Sequence, residues 1–213
     1  MDGRGLFLDL DGTLADSLTA LKSVYLSFLS GFGATGDEVE FQRLNGPPLA
    51  KIIEFLKTTH NLPGEPADLL EHYSAMLRQA HETAQPAIGA RELLQYARTS
   101  GWRTAVVTSS PRSSALKWLE LGDLSDQIDT VVGGDDVVSG KPAAEPYVLA
   151  LARLECSASL SHAVEDSRIG AMSAVAAGLN TWALSSPDNR SGWPDGVIFI
   201  QRLGDLLERL PAC

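Results

Sequence analysis

The feature that most limits what this chain can become is a short apolar run, Leu6-Phe7-Leu8, ending in two carboxylates, Asp9 and Asp11, separated by one leucine. The run reads as a buried strand. Buried strands ordinarily end in turn residues, and isolated carboxylates at such a mouth cost free energy unless a cation meets them. Asp9 and Asp11 therefore require a metal, a lysine or both. Leu10 lies between them, so strand alternation puts both carboxylates on one face. Gly12 permits a close or left-handed turn, and Thr13 supplies a hydroxyl there. Alone, an Asp-x-Asp is simply an acidic turn; the partners must come from the rest of the chain.

At 213 residues the chain suits one large domain or two smaller lobes, and 44% hydrophobic residues are ample for a core. The net charge of −10 argues against nucleic acid, whose phosphates need an excess of lysine and arginine. It does not argue against a small phosphate ester, which one local lysine and a metal can hold. The two cysteines, Cys156 and Cys213, form neither a disulfide framework nor a metal-ligand spacing, and read as reduced thiols. The amino-terminal Met-Asp-Gly-Arg-Gly lacks the apolar stretch of a signal peptide, and no run approaches membrane-spanning length. A soluble, cytoplasmic protein with no membrane partner is expected.

After Thr13 the pattern changes to helical spacing. Leu18, Leu21, Val24 with Tyr25, and Phe28 recur every three to four residues, a helix that Asp16 or Ser17 could cap. Helical segments follow at 38–44, 49–59 and 67–80, and nothing across 16–84 reads as a strand. From Pro86 onward helices alternate with β-branched runs: strands near 104–108, 130–132, 163–165, 181–184 and 197–200, and a last helix near 203–210. Strands separated by helices require crossovers, so the sheet is predicted to be parallel and covered on both faces.

In an open parallel sheet, ligands bind beyond the carboxyl ends of the strands. Three strands carry polar groups there: Asp9 and Asp11, then Thr108 and Ser109, then Glu165 and Asp166. A cation is offered by Lys141, in Gly140-Lys141-Pro142 just before a helix. Singly, Thr108 is an ordinary strand residue, Lys141 a surface lysine, and Glu165-Asp166-Ser167 a helix N-cap. Their conjunction at one rim is what points to chemistry.

Asp9-Leu10-Asp11-Gly12-Thr13, Thr108, Lys141, and Glu165-Asp166-Ser167 with Gly170 resemble, in order, the four motifs of the haloacid dehalogenase superfamily. The helical insertion after the first motif resembles the cap of its phosphoglycolate phosphatase-like and β-phosphoglucomutase-like branch. The resemblance implies an α/β fold: a Rossmann-like parallel-sheet core, residues 1–15 and 85–213, with an inserted all-helical cap, residues 16–84. It further implies that Asp9 is the nucleophile and Asp11 the general acid and base. Thr108 and the backbone N–H groups of Ser109 and Ser110 would hold phosphate oxygens, and Lys141 would neutralise charge and orient Asp9. Mg2+ would be bound by Asp9, the backbone carbonyl of Asp11 and Asp166, with Glu165 contributing indirectly or through water. The implied activity is hydrolysis of a small phosphomonoester through an aspartyl phosphate.

Asp11 separates this chain from dehalogenases and from phosphonatase-like members, which lack an acid there. A β-phosphoglucomutase-like mutase remains the alternative, although such members commonly place a histidine near the position of Leu21. A phosphate-binding module without catalysis is a further alternative, against which stands the complete set of acids. His60, His72, His81 and His162 lie outside the motifs and read as surface or packing residues. Lys51 reads as an exposed helix lysine or at most a substrate contact. The loop Asn45-Gly46-Pro47-Pro48, with Arg43 and Lys51 nearby, reads as an interhelical turn, with a specificity element as the alternative. Hinges are expected near 14–17 and 85–89. Phosphoglycolate, a sugar phosphate, a nucleotide and pyrophosphate all fit, and the apolar pattern carries no oligomeric state.

Overall fold

Strand β1, Gly5–Leu8, is buried along its whole length and forms the centre of the sheet. It is placed by a computed structural model that describes residues 3–185 and 191–210. Its parallel neighbours are β4 (Arg103–Val107) and β6 (His162–Glu165). Outside these lie β5 (Thr130–Val132) on one flank, and β7 (Asn180–Leu184) and β8 (Ile198–Ile200) on the other. All five pairings are parallel, as the alternation of helices and β-branched runs predicted.

Side chains alternate across the pleat and feed two separate cores. Leu6, Leu8, Val106, Val164 and Trp182 pack with Leu93 and Leu94 of α5 (Ala90–Thr99) and Trp118 of α6 (Arg112–Leu121). Phe7, Ala105, Val107 and Ala163 pack with Tyr147 of α7 (Glu145–Leu154) and Ala174 of α8 (Arg168–Ala176). The Ser167 side chain caps α8 by accepting from Gly170 N.

Between β1 and α5 the chain leaves the sheet for four helices: α1 (Leu18–Gly31), α2 (Glu38–Leu44), α3 (Leu49–His60) and α4 (Pro66–Thr83). These have a core of their own, built on Tyr25, Phe28, Leu29, Ile53, Leu56 and Tyr73. The way out and the way back are tied together. Strands β2 (Ala15–Asp16) and β3 (Gln85–Pro86) pair antiparallel, and Ala87 N donates to Leu14 O at 2.7 Å. That ribbon is an addition to the sequence reading, which gave no strand to this stretch.

Two further expectations need correction. The last segment is a 3-10 turn, Leu203–Leu206, rather than a helix to 210, in keeping with Gly204 in its middle. Ser17 stands at the N-cap of α1 but makes no capping bond, because its hydroxyl donates instead to Asp11 Oδ1 at 2.8 Å. Cys156 is a free, buried thiol; Met1, Asp2 and Cys213 lie outside the described residues. Among the described residues no helix is long and apolar enough to cross a membrane.

Candidate functional site

β1, β4 and β6 end side by side, and their carboxyl ends bring Asp9, Thr108 and Glu165 to one rim. Lys141 reaches this rim from the loop before α7 and is almost wholly buried, with 2% of its side chain exposed. Its Nζ donates to Asp9 Oδ1 at 2.6 Å, Glu165 Oε1 at 2.5 Å and Val107 O at 2.9 Å. Burial alone would lower the lysine pKa, but the carboxylates of Asp9 and Glu165 outweigh it and hold the ammonium well above its usual range. Tyr147 also donates to Glu165 Oε1, at 2.6 Å, and Ser167 Oγ to Oε2, at 3.3 Å. Glu165 is thus gripped from behind. Gly170 makes room for it, since a Cβ there would fall 2.0 Å from Glu165 Oε2.

Lys141 occupies one oxygen of Asp9 and leaves the other, Oδ2, for a reacting partner. Carboxylate oxygens of Asp9, Glu165 and Asp166 lie within 4.8 Å of one another. Three carboxylates against one ammonium leave two excess negative charges, and each like-charged pair at that spacing repels by about 3 kcal/mol at an effective dielectric of 20. The titration behaviour reflects this. Burial and the Glu165 and Asp166 charges hold Asp9 well above the usual carboxylate range, Lys141 opposing them. Burial, then Glu165, pushes Asp166 up to about 7.

The same cluster has the donor chemistry of a hard divalent cation. Asp166 Oδ2 accepts from Asn45 Nδ2 at 2.7 Å, whereas Oδ1 is buried with no hydrogen-bond partner. A buried, orphaned carboxylate oxygen beside a second carboxylate fits a metal ligand. Gly12, at φ +81°, closes the turn against this group, where a Cβ would meet Asp166 Oδ2 at 2.2 Å.

Asp11 has a different set of partners. It accepts from Ser17 at 2.8 Å, from Ser110 Oγ at 3.1 Å and from His81 Nε2 at 3.0 Å. Burial would raise its pKa, but His81 and the two hydroxyls overcome this and hold it below the usual range. For His81 burial is likewise outweighed, by the Asp11 carboxylate, and its pKa rises. The expectation that His81 is a surface or packing residue is therefore corrected. Its signal was available in position: it stands in the last turn of α4, four residues before the return strand that pairs beside Asp11. The other three histidines do pair or stack away from the rim, His60 on Glu40, His72 on Phe28 and His162 on Trp182.

The anion-facing loop follows β4. Thr108 Oγ1 accepts from Ser110 N at 3.0 Å, which leaves its hydroxyl hydrogen free to donate and engages one of the two expected backbone donors. Ser109 Oγ donates to Gly46 O at 2.7 Å. With the Asn45–Asp166 bond, this latches the 45–48 loop onto the rim, so that loop is more than an interhelical turn. Asn45, Gly46 and Pro47 line a cavity of about 90 Å³ whose floor is Asp9, Asp11 and Thr108. Its opposite wall is helical and apolar, including Leu21, Leu49, Ile52 and Leu77. Lys51 points elsewhere: its side chain is 71% exposed and paired with Glu54.

The profile of the haloacid dehalogenase-like hydrolase family matches residues 6–184. A phosphorylated-carbohydrate phosphatase of Thermotoga maritima is 28% identical over 181 residues, 83% of this chain and 82% of that protein. A phosphoglycolate phosphatase of Yersinia pestis is 31% identical over 182 residues, 82% of this chain and 78% of that one. The crystal structure of a β-phosphoglucomutase from Clostridium difficile superposes with a TM-score of 0.84 at 14% identity, covering 96% of this chain and 93% of that one, a likeness of fold. Parallel sheet, acidic rim and matched sequence agree, and the chain is an enzyme of the haloacid dehalogenase-like hydrolase family.

Proposed function

We propose that this enzyme is a magnesium-dependent phosphatase that hydrolyses a small soluble phosphomonoester, met in the cytoplasm, through an aspartyl phosphate on Asp9. The observation that carries the reading is the unequal treatment of two carboxylates two residues apart. Asp9 is fixed at one oxygen by Lys141, with the other directed to reaction, while Asp11 is surrounded by proton donors. Pairs of titratable groups pushed in opposite directions mark nucleophile and acid–base roles.

Asp9 Oδ2 attacks phosphorus, the ester P–O bond breaks, and the leaving oxygen takes a proton from the Asp11–His81 pair. Water then attacks the phosphoryl group. Asp11 accepts its proton, the Asp9–phosphorus bond breaks, and inorganic phosphate leaves with Asp9 restored. Thr108 and the Ser109 backbone hold the phosphoryl oxygens, and Lys141 keeps Asp9 ionised and aimed. A magnesium ion held by Asp9, Asp166 and the Asp11 carbonyl, with Glu165 behind them, supplies the positive charge that the rim lacks. The helical unit, residues 16–84, acts as a cap on the 1–15 and 85–213 core, hinged at the β2–β3 ribbon, and excludes water when seated.

Leu21 lines the cavity where mutase-like members carry a histidine, which supports hydrolysis over phosphoryl return to a sugar. The test is phosphate release from a panel of small esters with magnesium. The native protein is expected to turn over at least one ester, Asp9→Asn to lose about 10⁴-fold or more in kcat, and excess chelator to abolish release. Full turnover by the variant or in chelator would sink the reading.

A further inference from the structure

We propose that the leaving group is small, uncharged and mainly apolar, so that the substrates are short-chain alkyl phosphates rather than phosphates bearing a second anion. The inference deepens the phosphatase reading of the same site and rests on it.

The cavity has two chemically distinct ends. The floor holds the acids and hydroxyls, and the wall facing them, where the leaving group must lie, is built from Leu21, Phe41, Leu49, Ile52, Tyr73 and Leu77. Neither lysine nor arginine lines the cavity among the described residues. Its one basic side chain, His81, is bound to Asp11. Lys141 is spent beneath the floor on Asp9, Glu165 and Val107 O. The remaining cations nearby face away. Lys22, paired with Glu38, and Arg43 line a separate outer groove, and Lys51 is solvated.

A carboxylate or second phosphate on the leaving group would therefore be desolvated among leucines, beside Asp9 and Asp11, with no counter-charge. Sugar hydroxyls fare little better. Asn45 is engaged by Asp166 and Ser109 by Gly46 O, while the Tyr73 hydroxyl, without a hydrogen bond among the described residues, offers a single polar contact. An alkyl chain, in contrast, gains about fourfold in affinity per buried methylene.

The experiment pairs two readouts on ethyl, propyl and butyl phosphate, 2-phosphoglycolate and pyrophosphate, all with magnesium. For the native enzyme, kcat/KM is expected to rise about fourfold per methylene from ethyl to butyl. Butyl phosphate should exceed phosphoglycolate by at least about tenfold, the same factor that more than one such methylene supplies. For Asp9→Asn, which binds without turnover, the shift in melting temperature should follow the same order, with butyl phosphate above inorganic phosphate. A flat alkyl series, or an anionic ester preferred in both readouts, overturns the proposal while leaving an Asp9-dependent phosphatase in place. If no ester is hydrolysed the phosphatase reading fails, and the melting series still decides what the wall accepts. Arg43→Ala is expected to leave the series unchanged; selective loss of an anionic ester in that variant would also overturn the assignment.

Discussion

The two walls of the cavity are made by opposite means. On the core side, charged groups are buried and nearly every atom has a named partner: Lys141 serves Asp9, Glu165 and a carbonyl, and Tyr147 and Ser167 complete Glu165. On the helical side, the wall is a continuation of a hydrophobic core, Leu21, Phe41 and Leu49 packing against Tyr25, Phe28 and Leu56. The first wall is rigid because a displaced charge is expensive. The second tolerates change, because apolar packing is set by volume more than by direction. The comparison assigns chemistry to the strand ends and choice of leaving group to the helices.

The contrast is broken most forcefully at Lys141. Lys141→Met keeps much of the side chain's volume but leaves Asp9, Glu165 and Asp166 with no buried cation. The loss is expected to be about 3–5 kcal/mol in metal-free urea unfolding, together with loss of turnover. Adding Glu165→Gln to that variant should recover part of the stability and none of the activity, since it removes a charge without restoring the aim of Asp9. A single-variant loss below about 1 kcal/mol would mean that the rim is far more hydrated than its burial indicates.

A smaller effect is expected at His81, where the helical side contributes its one acid–base group. His81→Ala should lower kcat by roughly 10- to 100-fold with KM within about twofold, because the residue touches Asp11 and not the phosphoryl floor. His81→Gln separates two roles. Recovery by glutamine would show that a hydrogen-bond donor suffices, and no recovery that the ring's proton is used. An unchanged kcat in His81→Ala would return the residue to packing.

The same division explains what could be read from the sequence. Asp9, Asp11, Lys141 and Asp166 were legible because acids and a lysine at strand ends have few structural uses, and parallel topology brings distant strand ends together. All six strands of the sheet were legible because β-branched runs between helices have one economical arrangement. His81 was not, since a lone histidine near a helix end has many uses and only the β2–β3 ribbon puts it beside Asp11. The apolar wall was not legible either. Leucines at helical spacing look the same whether they face a protein core or a ligand, and only coordinates show that Leu21 and Ile52 also border the cavity.

The weakest expected effect sharpens the comparison from the other direction. Lys51 is the cation nearest in sequence to the loop that seats on the rim, which is why it stood as a substrate contact before the fold was in view. In the structure its ammonium bonds Glu54 one helical turn away, on a face 71% exposed on the lysine side chain. Exposed i,i+3 pairs contribute about 0.2–0.5 kcal/mol. Lys51→Ala should therefore shift stability by no more than about 0.5 kcal/mol and leave kcat and KM within about twofold for every ester tested. A rise in KM confined to anionic esters would place a cation over the cavity after all, and the helical wall could no longer be described as apolar in function.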